Sequence, residues 1–280
     1  MPLRLTARTA LVATGLAVAC LVATWFAAFH VGFAQRADQS ILVGFFDVAD
    51  HRGVTSLANF VANLCNPVPY VLFAWIPMLV AVLRGRPRVA LAIGVILLGA
   101  NVTTHLLKPL LAAPRPFDAH DAIGSASWPS GHATAAMSFV LCCVLAAPAR
   151  ARPVVAAVGA IFAVAVCYSF LALGWHYPSD VLGGFLVATT WTLLAVSGLR
   201  ALHKHGIRAV PASRPRLVHE LAPPAAAVAG AAGMALLVAL ARPRAVLAFT
   251  RAHEWFVLGA AGIGLVALAL ATGLMLAVRR

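Results

Sequence analysis

Charge is what this sequence has least of. Lys, Arg, Asp and Glu make up 10% of its 280 residues and only 8 residues are acidic, while 62% are hydrophobic and the mean hydropathy is +0.93. A soluble globular domain carries about 25% charged residues, so scarcity on this scale excludes that class and requires lipid as the solvent. Metal and disulfide chemistry find little support: the five cysteines, Cys20, Cys65, Cys142, Cys143 and Cys167, are odd in number, fall mostly in apolar stretches and form no CxxC or Cys/His ligand spacing. They read as small packing residues. No carboxylate cluster suggests Mg²⁺, and there is no internal repeat. The net charge of +13 is scattered over short loops, without the basic face and interleaved aromatics of a nucleic-acid binder.

What the sequence does have is long apolar runs. Crossing a bilayer takes roughly 20 apolar residues, and stretches of that kind lie at about 9–34, 67–83, 89–107, 131–149, 153–173, 179–199, 222–241 and 255–278. Ala17 to Cys20 faintly resembles a lipoprotein cleavage site, but the first run continues past the roughly 7–15-residue core of a signal peptide and is read as an uncleaved helix.

The positive-inside rule orients these spans. With the N-terminus inside, the inner segments hold Arg4, Arg8, Arg84, Arg86, Arg88, Arg150, Arg152, Arg200, Lys204, Arg208, Arg214, Arg216, Arg279 and Arg280, and the outer segments take every acid except Glu220. Both termini are therefore expected in the cytoplasm, in a multi-pass protein of the cell (inner) membrane.

Four regions follow. Residues 1–56 are a first transmembrane helix and an outer interfacial segment. Within 36–66, Asp38, Asp47, Asp50, His51 and Arg52 mix with Ile41, Leu42, Phe45 and Phe46, which suits a helix in the interface, either a lid or surface filler. Residues 57–199 form the core, 200–220 a basic cytoplasmic linker with Pro211 and Pro215, and 221–280 two further spans whose small residues suffice for helix packing.

Three outer-facing segments carry the unusual polar residues. The first, Lys108 to Pro116, places Lys108 and Arg115 seven residues apart on a proline-stiffened loop; the pair reads either as a phosphate clamp or as a snorkelling lysine and an ordinary loop arginine. The second, Trp128-Pro129-Ser130-Gly131-His132, opens the fourth span, where free N–H groups and the helix dipole face an anion, although Ser130 also suits a plain N-cap. The third, Gly174 to Asp180, sets His176 four residues before Asp180. Asp180 either orients the imidazole for nucleophilic or base chemistry or caps the following helix, a task open to Ser179 as well.

Lys-x6-Arg-Pro, Pro-Ser-Gly-His and His-x3-Asp, in that order and on one membrane face, resemble the type 2 phosphatidic acid phosphatase (PAP2) superfamily of membrane lipid phosphate phosphatases. The resemblance implies an all-α polytopic bundle with a six-helix core, here extended by two C-terminal transmembrane helices. It implies a phosphatase without metal or other cofactor in which His176 attacks phosphorus, Asp180 orients it, and His132 protonates the leaving oxygen and later assists water. Lys108, Arg115, Ser130 and the Gly131 N–H would hold the phosphoryl oxygens. One departure stands out: the family usually has Ser-Arg seven and six residues before the third-motif histidine, and here those positions are Ser169 and Phe170. Losing such a clamp costs on the order of 10²-fold in rate unless another group substitutes. No arginine lies nearby in the span, though His105, His120 and Trp175 are close enough in sequence to line the pocket.

The expected partner is a lipid phosphate presented at the outer leaflet. Polyprenyl (undecaprenyl) pyrophosphate from cell-wall synthesis comes first, phosphatidylglycerophosphate or phosphatidic acid second. A lipid-to-lipid phosphotransferase and a degenerate lipid-phosphate-binding membrane protein are the alternatives. A transporter is disfavoured because the ionisable residues cluster at one surface.

Overall fold

The computed structural model describes residues 6–49, 52–114, 123–203 and 217–278, and every regular element among them is an α-helix. In chain order these are α1 (Ala7–His30), α2 (Gly32–Ala49), α3 (Arg52–Asn63), α4 (Pro67–Ala74), α5 (Ile76–Leu83), α6 (Pro87–Leu110), α7 (Gly131–Ala146), α8 (Arg152–Ala172), α9 (Pro178–His203), α10 (Leu217–Ala241), α11 (Pro243–Ala252) and α12 (Glu254–Ala277). Helices are the form that satisfies every backbone hydrogen bond within one apolar segment. Proline sets where several begin, occupying the first or second position of α4, α5, α6, α8 and α11, where its missing N–H costs nothing.

Where eight spans are expected, the described residues hold six helices long and apolar enough to cross a membrane, α1, α6, α8, α9, α10 and α12, with a seventh if the α3 to α5 stretch, bent by 57°, is one span. The run at 67–83 breaks at Trp75 because the Pro77 ring conflicts with the carbonyl four residues earlier, that of Phe73. The run at 131–149 yields only the 16-residue α7, which stops at Ala146 before Pro148. At the linker, α9 continues to His203 and α10 already begins at Leu217; Pro211 and Pro215 lie outside the described residues.

Side-chain contacts fix the helix directions. The Ser197 hydroxyl near the end of α9 donates to the Ala7 carbonyl at the start of α1 (2.8 Å), and Arg152 at the start of α8 donates to the Val278 carbonyl after α12 (3.0 Å). The starts of α1, α6 and α8 and the ends of α7, α9 and α12 thus share one end of the bundle; the motif residues lie at the other. Helix α7 is enclosed by α6, α8, α9 and α12 and buries almost all of its side chains, including Met137, Val140, Leu141 and Val144. The two C-terminal spans differ in role. Helix α12 contributes Ile263, Ala267, Ala271, Leu274 and Met275 to the buried core, whereas α10 buries only Glu220 and Pro224 and exposes Leu236, Leu237 and Leu240, the surface expected against lipid chains.

Candidate active site

The α8–α9 connection builds the centre of the site. Gly174 adopts φ +70, a left-handed turn that glycine takes without strain, and the chain passes from α8 into α9 within a few residues. His176 then lies just before α9 and Asp180 in its first turn. His176 Nδ1 is 3.2 Å from Asp180 Oδ2, and the same oxygen accepts the Tyr177 N–H at 3.0 Å. Asp180 is fully buried and His176 is 7% exposed, so the pair is held in one geometry. A carboxylate at Nδ1 draws the ring proton there and leaves Nε2 with its lone pair.

The start of α7 is tied to this pair. Ser130 is the N-cap, its Oγ accepting the Ala133 N–H at 3.3 Å, while its own N–H donates to the Asp180 carbonyl at 3.0 Å. The cap leaves the Ser130 hydroxyl proton available. A Cβ added at Gly131 would meet nothing within 4 Å, so open space lies in front of the positive end of α7. Close approach of α9 makes the arrangement: a Cβ at Gly184 would fall 2.7 Å from the Ser130 carbonyl oxygen, and one at Gly183 2.7 Å from Trp128 Nε1.

His132, the second residue of α7, faces His176 with ring centroids 6.3 Å apart. Its Nε2 is 2.7 Å from Asn66 Oδ1, and Asn66 Nδ2 donates to Asn63 Oδ1 at 2.6 Å. Since the Asn66 amide nitrogen is turned to Asn63, its oxygen accepts from His132 Nε2–H, which leaves Nδ1 for chemistry. Trp175 lies 5.5 Å from the His132 ring. Phe170, fully buried where the family pattern has arginine, packs against both His132 (5.8 Å) and His176 (5.3 Å). An apolar ring thus occupies the place expected of a cation.

Lys108, in the last turn of α6, donates to the Ala126 and Ser127 carbonyls at 3.3 Å each and stands within Coulombic reach of Asp180 and His132. One turn earlier, Thr104 and Thr134 share a hydrogen bond of 3.0 Å. Thr134 gives its own proton to the Ser130 carbonyl at 2.8 Å, so Thr104 is the donor to Thr134. These bonds clamp α6 to the start of α7. Arg115 and His120 lie outside the described residues. His105 is exposed on α6, which leaves Trp175 as the one of the two described candidates beside the site.

Two residues beyond the motifs also reach this region. Asn66 contacts His132 as described. Asp38 of α2 is buried and accepts the Ser179 N–H at 2.8 Å and the Ser179 hydroxyl at 2.6 Å. It therefore caps α9 from another helix, and α2 is part of the site's scaffold instead of surface filler. Among the described residues no three His, Cys, Asp or Glu side chains are grouped as metal donors.

Comparison with known proteins bears on the family and the fold. The PAP2 superfamily model matches residues 89–204, which run from α6 to just past α9 and include Lys108, Ser130, Gly131, His132, His176 and Asp180. No curated protein matches the chain. Among solved structures, a transmembrane PAP2 type phosphatidylglycerolphosphate phosphatase from Bacillus subtilis superposes with a TM-score of 0.54 at 19% identity, covering 69% of this chain and 98% of that one. The protein is thus an all-helical, multi-pass membrane protein similar to the PAP2 superfamily in sequence over residues 89–204 and to a transmembrane PAP2 phosphatase in fold.

Proposed function

We propose that this protein is a membrane lipid phosphate phosphatase that works through a phosphohistidine on His176 at the outer leaflet. The observation that carries the reading is the buried His176–Asp180 pair with His132 facing it across the site. In the first step His176 Nε2 forms the N–P bond as the bond from phosphorus to the lipid oxygen breaks, and His132, entering the step with both ring nitrogens protonated, gives its Nδ1 proton to that oxygen and keeps the Nε2–H bonded to Asn66. In the second, His132 takes a proton from water, the water oxygen attacks phosphorus, the N–P bond breaks and phosphate leaves. Lys108, the Ser130 hydroxyl, the Gly131 N–H and Arg115 hold the phosphoryl oxygens. Positioning and charge stabilisation of this kind supply most of the catalysis in phosphoryl transfer, and the reading draws on no metal.

Two substrate classes fit. Polyprenyl pyrophosphate suits a site at the outer leaflet whose lipid chain stays between the spans. A lipid phosphomonoester, phosphatidylglycerophosphate or phosphatidic acid, is favoured by Phe170, because a site with one cation fewer suits the less charged group, and by the activity in the name of the similar Bacillus subtilis structure.

The test is phosphate release by purified protein from undecaprenyl pyrophosphate, phosphatidylglycerophosphate and phosphatidic acid, each with EDTA, for the unaltered chain and His176→Ala. Release that survives EDTA and vanishes in the variant supports the reading, and the ratio of rates ranks the substrates. Transfer to a second lipid without free phosphate would make the protein a phosphotransferase. Binding without either product would make it a lipid-phosphate binder.

A further inference from the structure

Helix α11 (Pro243–Ala252) joins α10 to α12 at the end of the bundle that holds the motif residues, since α12 runs from there to Val278 beside Arg152. It buries none of its side chains. Val246, Phe249 and Thr250, which share one helical face, are half-buried against the bundle. Arg244 and Arg251 are exposed two turns apart on the opposite side, and Arg242, just before the helix, is exposed as well. The helix is held in place from below. His253, its C-cap, has Nε2 2.8 Å from Asp47 Oδ2 of α2, and Phe249 packs on Phe256 (5.2 Å), which packs on Phe45 of α2 (5.0 Å). Through Asp38 the same α2 caps α9 beside Asp180, so the surface of α11 is attached to the scaffold of the candidate site.

No contact among the described residues accounts for these three arginines. None of them forms an ion pair there: Asp47 is engaged by His253, Asp38 by Ser179 and Asp180 by His176, and Glu254, exposed at the start of α12, is paired with none of the three. Arg242 and Arg244 stand at the N-terminus of α11, where the helix dipole disfavours a cation. The positive-inside rule favours arginine at the other end of the bundle. Three cations against one nearby unpaired carboxylate leave the surface positive. Beside them Leu240 of α10, Leu247 and Trp255 are exposed, an apolar and aromatic border of the kind that lies where acyl chains meet headgroups. Guanidinium groups at that level are suited to phosphate, which they bind through paired N–H donors.

We propose that α11 is a lipid-binding surface on which Arg242, Arg244 and Arg251 hold the headgroups of anionic phospholipids, in the leaflet on the side of the candidate active site. Arg244 and Arg251 are separated by about 10 Å along the helix axis, seven residues at the helical rise, so each engages a phosphate of its own instead of sharing one. Lipid gathered there lies next to α2 and α12, and the local concentration of anionic lipid rises on the membrane face where the motif residues lie. The proposal stands independently of the phosphatase reading.

The experiment follows hydrogen exchange of the full chain in lipid nanodiscs of phosphatidylcholine alone and of equimolar phosphatidylcholine and phosphatidylglycerol. It compares the unaltered protein with Arg244→Gln/Arg251→Gln and with Arg84→Gln/Arg88→Gln, whose arginines are exposed at the opposite end of the bundle. Phosphatidylglycerol is expected to slow exchange across α11 at least about fivefold, the weight of one basic residue at an anionic surface. The slowing should disappear in the α11 variant and in high salt, and persist in the variant of the opposite end. Equal exchange of the buried helix α7 in all three proteins shows that the fold is kept. If the α11 variant loses protection in α7, Arg244→Gln and Arg251→Gln are measured singly, each with a smaller loss of the phosphatidylglycerol effect expected. Equal exchange of α11 in the two disc compositions, or slowing that survives in the α11 variants, overturns the proposal. So does equal slowing by inorganic phosphate in phosphatidylcholine discs, because a free ion then fills the surface.

Discussion

His132 Nε2 lies 2.7 Å from the side-chain oxygen of Asn66, a residue in the break between α3 and α4. The bond assigns the two ring nitrogens: Nε2 is occupied as a donor, and Nδ1 is the nitrogen left for chemistry. Asn66 is itself held by Asn63 at 2.6 Å, so the imidazole is fixed by a chain of two amides, where His176 is fixed by a carboxylate. A neutral partner holds the ring without favouring its protonated form as strongly as a carboxylate does. That difference suits a group that must give up a proton in one step and take one in the next.

Asn66→Ala should therefore lower turnover by about tenfold, part of the 10²–10⁴ that a well-placed general acid contributes, with KM nearly unchanged. Single-turnover kinetics on a lipid phosphate measure it directly. Slower formation of phosphohistidine, with His176 still labelled to the same final extent, is the expected pattern. A rise in KM alone would mean that Asn66 contacts substrate instead.

Phe170→Arg restores the cation of the family pattern, but in a fully buried position between two imidazoles. Two effects oppose each other there. The guanidinium adds a phosphate ligand with paired donors, and its burial without substrate costs several kcal/mol. The expected result is a lower Tm in the empty protein and at least about tenfold tighter inhibition by orthovanadate, a phosphate mimic. Vanadate inhibition unchanged in a folded variant would show that the Phe170 position does not face the phosphoryl group.

The local parts of the candidate site were legible in the sequence and the distant contacts were not. Lys108, Ser130, His132, His176 and Asp180 announce themselves through short spacings at span ends, and the four-residue step from His176 to Asp180 becomes a hydrogen bond because one turn of chain separates them. Asn66 meets His132 across 66 positions and Asp38 meets Ser179 across 141, and no periodicity connects residues so far apart. Hydropathy likewise cannot separate α10 from α12. Both are rich in Ala, Leu and Gly, yet one lies against lipid and the other enters the core, where Gly259 gives room to Ile41 of α2. Reading 67–83 as one span by hydropathy passed over Pro77, whose local effect is the break at Trp75.

Asp38 supplies a prediction about the scaffold. It caps α9 through Ser179, next to Asp180. Asp38→Ala removes a cap worth about 1 kcal/mol and loosens the turn that aims His176, so both Tm and kcat should fall. Asp38→Asn keeps an acceptor for the Ser179 N–H and should recover most of the stability. Equal loss of activity in both variants with normal Tm would give Asp38 a charge role at the site instead of a positioning one.

Gly184 and Gly198 provide a matched pair on α9. A Cβ at Gly184 would sit 2.7 Å from the Ser130 carbonyl oxygen, 2.8 Å from Ala133 Cβ and 2.9 Å from the Thr134 nitrogen, whereas one at Gly198 meets nothing within 4 Å. Two of the three obstacles at Gly184 are backbone atoms of α7 and its N-cap, which cannot rotate away, so α9 itself must move. The movement acts on the Ser130 N–H to Asp180 carbonyl bond and on the open space before Gly131. Gly184→Ala should thus reduce phosphate release by at least about tenfold, because sub-ångström misplacement of reacting groups carries a penalty of that order. Gly198→Ala should leave both Tm and activity at or above the starting values, since alanine replaces glycine in a helix without a clash. If the two substitutions behave alike, the contact between α9 and the start of α7 does not control the site, and the alignment of His132 with His176 must depend on the Asn66 and Asp38 contacts instead.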